Sequence, residues 1–236
     1  ASLALVLGEA GVSYAPAWAT RTAVGASSHY VGLDFGTTNT IAYAMTEGER
    51  RQRAPTPSEH GLQPSSFADG ASVIRWGADP PTANAEPSTN FKLDRGLASH
   101  THAGLRRRFL REYLLLMLPS VLDGSPAEQP TVNLGLAFPL ALTFSERADL
   151  AALFSEVARE VGSLTSATIS TYTIDEAQAC VEAFGSANPG ESFLIADMGG
   201  GTLDFALFTT GTGSSITYHQ IGSVEFAGEA FVESVA

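Results

Sequence analysis

The stretch ADMGGGTLDF, residues 196–205, sets three consecutive glycines between two aspartates, with apolar residues on both sides. Glycine loses more freedom on folding than any other residue, so a triplet in ordered backbone needs a reason. Successive glycines at a turn let backbone N–H groups converge on one concavity with no Cβ in the way, which makes a nest for an anionic oxygen. A carboxylate at the strand end beside that nest would repel a phosphate directly. It fits better as a holder of Mg²⁺, through water, with the metal bridging to the phosphates.

Aligned on their aspartates, two stretches form a weak internal repeat of this design. YVGLDFGTTNTIAYA (residues 30–44) and SFLIADMGGGTLDFA (192–206) share a strand, an aspartate, one apolar residue, a glycine, a small-residue turn and a returning strand. Asp34 matches Asp197 and Gly36 matches Gly199. The candidate phosphate-binding groups are therefore Gly36, Thr37, Thr38 and Asn39 in the first loop and Gly199, Gly200, Gly201 and Thr202 in the second. A plain hairpin turn would explain one glycine triplet; a matched pair, each with its aspartate, points to two related lobes facing across a cleft. Neither copy fits the G-x-x-x-x-G-K-[ST] or G-x-G-x-x-G spacing, so a P-loop and a Rossmann fingerprint are excluded as explanations.

The totals are those of a globular chain: 236 residues, 44% hydrophobic and 16% charged, with 23 Gly and 12 Pro. The net charge of -12 argues against nucleic acid as a partner, because binding through phosphate backbone needs a basic face. Cys180 is the only cysteine, which leaves no internal disulfide and favours a reducing, cytoplasmic compartment. No apolar run reaches the ~18 residues of a membrane span. The opening ASLALVLGEAG is a short apolar run without a basic leading segment, unlike a signal peptide. The chain begins without methionine, as a processed product or a piece of something longer does.

Residues 1–29 form an extension of weak periodicity. From Tyr30 the pattern reads strand (YVGLDF), turn (GTTN) and strand (TIAYAM). Six prolines between residues 47 and 104 exclude a long helix there and predict an irregular subdomain of short strands and loops. A helix is expected from Leu105 to Leu118, stopped by Pro119, with Arg106, Arg107, Arg108 and Arg111 on a solvated face. TVNLGLAF (131–138) reads as a strand. A helix follows, with Thr143 and Glu146 at capping-box spacing, Leu150, Leu153, Phe154, Val157 and Val161 on one face, and Gly162 as its stop. A strand ATISTYTI, a helix DEAQACVEAFG and three strands, FLIAD, TLDFALF and SITYHQI, complete an α/β pattern. His100 and His102 form an H-x-H pair in a loop with no further ligand in view, and Cys180 sits among small residues as packing.

VGLDFGTTNT and LIADMGGGTLDFALF resemble the two phosphate motifs of the Hsp70 family, within the actin, Hsp70 and sugar-kinase superfamily. TIDEAQACVEAFG is similar to that family's first connecting helix, and NLGLAFPLALTFSERADL to the segment before it, with Pro139 and Arg147 at positions used in signalling between lobes. The resemblance implies an actin-like ATPase (ribonuclease H-like) α/β fold, with a complete first lobe over residues 30–185 and an incomplete second lobe over 186–236. It implies ATP or ADP and Mg²⁺ as cofactors, with Asp34 and Asp197 holding the metal. Asp197 and Glu176 would orient the attacking water, and Thr37 and Thr202 would contact the terminal phosphate. The family's lysine that reaches that water falls on Lys92, the only lysine in a chain with 12 arginines. Asp204 is expected to support the second loop. A protein client or co-chaperone is the implied partner.

The chain ends where the family's fourth subdomain would begin, so the later adenosine motif is not within it. Three rivals stand beside this reading: an actin-like filament-forming ATPase with a similar nucleotide cleft, a small-molecule kinase of the superfamily, from which Lys92 and DMGGGTLD lean away, and a truncated, non-enzymatic interaction module.

Overall fold

The structure is a computed structural model that describes residues 4–8, 11–15, 28–36, 39–46, 62–64, 67–70, 73–76, 99–122, 129–138, 142–176, 179, 189–199, 203–212 and 216–224. Its centre is a five-stranded sheet in the order β5-β4-β3-β8-β9. The strands are β3 (Ser28–Phe35), β4 (Asn39–Thr46), β5 (Leu62–Pro64), β8 (Thr131–Phe138) and β9 (Thr168–Asp175). β3, β4 and β5 form an antiparallel meander, whereas β8 and β9 run parallel to β3. A second sheet has three antiparallel strands in the order β10 (Ser192–Met198), β11 (Leu203–Thr210), β12 (Ile216–Val224).

Two short hairpins stand apart. β6 (Phe67–Gly70) pairs with β7 (Val73–Trp76). β1 (Ala4–Gly8) pairs with β2 (Gly11–Ala15), which the weak periodicity of the extension did not announce. The register puts Ala4 opposite Ala15, Leu5 opposite Tyr14, Val6 opposite Ser13 and Leu7 opposite Val12.

The helices cover one face of the five-stranded sheet. Along β3 the residues alternate, with His29, Val31, Leu33 and Phe35 buried and Tyr30, Gly32 and Asp34 exposed. The buried set joins Val132, Leu134, Leu136 and Phe138 of β8 and the apolar sides of α1 (Ser99–Leu122) and α2 (Phe144–Thr165) in one core. The opposite face carries Tyr30, Tyr43 and Tyr172, each at least 40% exposed.

α1 begins six residues before the expected start and runs past Pro119, which lies inside it. A proline removes one backbone hydrogen bond, but Leu118, Val121 and Leu122 are buried, and each such side chain contributes about 1.5–3 kcal/mol. Tertiary packing of the last turn outweighs the local stop signal. The H-x-H pair lies at the start of α1 and not in a loop.

The arginines of α1 are not simply solvated. Arg107 lies 2.8 Å from both Glu156 and Glu160 of α2, and Arg111 lies 2.6 Å from Glu160. Positions 107 and 111 on one helix and 156 and 160 on the other share the i, i+4 spacing, so two turns of each helix interlock. The hydrogen bond from Arg111, assisted by the charges of Arg111 and Arg107, holds the Glu160 carboxyl below its ordinary range.

α2 starts on the expected capping box, in which Thr143 N–H donates to Glu146 Oε2 at 2.7 Å and Thr143 Oγ1 accepts from Glu146 N–H at 3.3 Å. Its end differs from expectation. Gly162 is buried within the helix, and Ser166 takes the left-handed cap at φ 55°. A Cβ at position 162 would stand 2.8 Å from the Ala167 carbonyl oxygen. The glycine therefore serves close approach of the chain leaving the helix, while Ser166 makes the turn.

Two outcomes are expected in denaturant melts. Ser166→Gly should stabilise the fold by about 0.5–1 kcal/mol by relieving the left-handed serine, and Gly162→Ala should destabilise it by about 1–3 kcal/mol. Glu160→Gln should cost about 0.5–1 kcal/mol at neutral pH, kept small by solvent screening. Because the Glu160 pKa is depressed, that contribution is present above the ordinary glutamate range and lost as the pH falls through the depressed value. The variant and the unaltered chain should therefore converge in acid.

Candidate functional site

Both glycine loops close hairpins of the same register. Asp34 is the penultimate residue of β3 and Asp197 the penultimate residue of β10. The last pairs before the turns are Phe35 with Thr40 and Met198 with Leu203, so in each hairpin four positions separate the paired residues along the chain. Asp34 lies opposite Ile41 and Asp197 opposite Asp204. The alignment drawn from the sequence repeat is thus an alignment of backbone pairing.

The two hairpins are turned oppositely toward their cover. In the first, Asp34 is on the exposed face and Phe35, fully buried, is on the covered one. In the second the aspartate shares its face with the buried Asp204, Ala206 and Phe208, while Met198, at the position matching Phe35, is 65% exposed. The face of Leu194, Met198, Leu207 and Val224 is accordingly open and apolar.

The parallel strands bring a second acidic residue to the edge that bears Asp34. Asp34 aligns with Ala137 of β8, and Ala137 with Ile174 of β9. β9 ends at Asp175, and Glu176 follows it. Adjacent strands lie about 4.8 Å apart, which sets the Asp34 and Glu176 strands roughly 10 Å apart laterally, at the carboxyl ends where open α/β sheets bind ligands. In the second hairpin, Asp197 and Asp204 are direct cross-strand neighbours, two carboxylates on one face that repel unless a cation or donor lies between them. Such oxygen donors suit Mg²⁺, which takes one or two carboxylates and keeps several waters. Among the described residues no group of three His, Cys, Asp or Glu converges as a self-contained metal site.

Gly36 directly follows β3, Asn39 opens β4, and Gly199 directly follows β10. Thr37, Thr38, Lys92, Gly200, Gly201 and Thr202 lie outside the described residues, as do Pro139, Cys180 and most of the expected connecting helix. Arg147 is bound locally, its Nε donating to the Leu142 carbonyl at 3.1 Å.

One residue near the site had no signal of its own in the sequence. Tyr113 of α1 is fully buried, and its ring stacks on Phe109 with centroids 6.0 Å apart. Phe109 in turn stacks on Phe35 at 5.3 Å. Burial pushes the Tyr113 hydroxyl above its ordinary pKa, and the negative charge of Asp34 adds to the rise. The i, i+4 spacing of Phe109 and Tyr113 was visible, but nothing in it named Phe35 as the partner.

A mixed sheet with two helices on one face, glycine-loop hairpins and acidic residues at the strand ends has the architecture of the actin-like ATPases. Solved structures with this fold include MreB5 of Spiroplasma citri bound to ADP, with a TM-score of 0.54 and 22% identity over 92% of this chain and 56% of that one. MreB5 of the same organism bound to AMPPNP gives a TM-score of 0.56 and 18% identity over 88% of this chain and 55% of that one. The chain thus spans little more than half the length of these structures. No family model and no curated protein matches it. Among the described residues no helix is long and apolar enough to cross a membrane.

The raised Tyr113 pKa has a measurable consequence. Its neutral form is favoured by the fold, so stability is fully present below tyrosine's ordinary 10.0 and falls as the pH rises beyond it. Tyr113→Phe is expected to flatten the alkaline limb of the stability profile, read as denaturant midpoint against pH.

Proposed function

We propose that the protein is an actin-like ATPase that binds Mg-ATP between its two glycine-loop hairpins and hydrolyses it. The observation that carries this reading is the identical register of the two hairpins, each with an aspartate one residue before the loop-closing pair. Duplicated loops of this kind suit a polyphosphate, whose successive phosphates need donors from two sides. The ADP- and AMPPNP-bound neighbours support nucleotide as the ligand class.

In this reading Asp34 and Asp197 would hold Mg²⁺, which when bound would supply charge neutralisation at the phosphates. The backbone N–H groups of Gly36, Thr37, Thr38 and Asn39, and of Gly199, Gly200, Gly201 and Thr202, cradle the phosphates. Glu176 and Asp197 orient the attacking water, Thr37 and Thr202 contact the terminal phosphate, and the Lys92 ammonium reaches the water and that phosphate as a compact point charge. Phosphoryl transfer needs little more than such positioning and charge stabilisation.

For the output of hydrolysis we favour nucleotide-dependent self-assembly in the cytoplasm, because the fold neighbours are MreB5 proteins. The two phosphate motifs resemble the Hsp70 family and keep a second reading alive, in which closure around phosphate drives binding of a protein client. A fold does not specify a function, so measurement decides between the favoured reading and the second one. Concentration- and nucleotide-dependent sedimentation supports assembly; ATP-dependent release of unfolded peptide without sedimentation supports the chaperone reading. Calorimetric titration with Mg-ADP tests the shared premise, and no heat of binding to folded protein would overturn it.

Lys92→Ala is expected to leave nucleotide affinity within a few-fold while lowering turnover by ~100-fold or more, the scale of a removed transition-state donor. Unchanged turnover in a phosphate-release assay removes Lys92 from the mechanism.

A further inference from the structure

Phe35 stands between the two residues that matter most in the first loop, Asp34 before it and Gly36 after it. Its side chain is fully buried on the helix-covered face, whereas Asp34 points to the other face. Fixing the Phe35 ring therefore fixes the backbone from which both the carboxylate and the first loop amide project.

What fixes it is a column of rings. Phe35 stacks on Phe109 with centroids 5.3 Å apart and planes 22° apart, and Phe109 stacks on Tyr113 at 6.0 Å and 13°. Phe109 and Tyr113 are 1% and 0% exposed, so the column has no solvent-facing side on which to relax. The helix that carries it is itself held, because Arg107 and Arg111 tie α1 to Glu156 and Glu160 of α2. α2 is held in turn to β9, where Ser155 Oγ and Thr171 Oγ1 lie 2.8 Å apart. In the second hairpin the residue at the position of Phe35 is Met198, which is 65% exposed and, among the described residues, lies in no such column of rings.

We propose that Phe109 and Tyr113 are positioning residues: through Phe35 they hold Asp34 and the backbone of Gly36 in the geometry that receives a Mg-bound phosphate. The assignment rests on the nucleotide reading above and adds to it a named determinant on α1, far from the loops in sequence. Pre-organisation of this kind lowers the ordering that a ligand must otherwise impose on the loop.

The test compares Phe109→Leu with Phe154→Leu, a change at a fully buried phenylalanine of α2. Both variants remove one core ring, and both are expected to lower the melting temperature. At a temperature where both remain folded, Phe109→Leu should weaken Mg-ADP binding by about 10-fold, in line with the loss of an aromatic pair, while Phe154→Leu should leave it unchanged. Without any nucleotide, backbone amides in a peptide spanning residues 33–41 should exchange with deuterium faster in Phe109→Leu than in Phe154→Leu. Equal affinity and equal exchange in the two variants overturn the positioning role and leave the nucleotide reading intact. Failure of the unaltered chain to bind Mg-ADP overturns the nucleotide reading; faster exchange confined to Phe109→Leu would then still establish the brace on the loop.

Discussion

Strand parity at the end of β3 is the constraint on which the rest of the molecule turns. Successive side chains leave a strand on opposite faces, so a buried Phe35 requires an outward Asp34. A one-residue slip would send the carboxylate into the core and the ring into water. The parallel pairing of β3 with β8, and of β8 with β9, propagates the same parity to Val132, Leu134 and Leu136 on the covered side. The acidic edge and the hydrophobic core are thus two consequences of one register.

Much of this was legible in the sequence because it is local. The capping box of α2 is a four-residue pattern, and its geometry is present as read. The strands flanking each glycine loop follow from alternation and turn chemistry, and the fold class follows from their order with the helices. The extent of α1 was not legible, because Pro119 gives a local stop that buried Leu118, Val121 and Leu122 override. Gly162 misled for a related reason: a glycine near a helix end suggests a cap, but here it answers a carbonyl that comes close only in three dimensions. The α1 arginines read as solvated because their glutamate partners lie about 50 residues away.

The candidate site divides along the same line. The spacing of aspartate, apolar residue and glycine is a sequence property, and both copies fold into one hairpin register. Which face of each hairpin is covered depends on what packs there, so the opposite settings of Phe35 and Met198 could not be read from two strings that share only the order of aspartate, apolar residue and glycine. Tyr113 entered the site in the same way, through a stack between elements that the chain separates widely.

The pairing of β3 with β8 also shapes how the molecule forms. The unit β8-α2-β9 is contiguous, and its contacts need only short loops to close. Asp34 and Ala137, by contrast, meet across about 100 residues of intervening chain, whose closure entropy must be met before pairing rewards it. Among the described strands, Asp34 is therefore joined to the central sheet by its longest-range pairing, and slowing or interrupting that closure would leave a collapsed helix-and-strand unit that carries Asp175 and Glu176 but not Asp34.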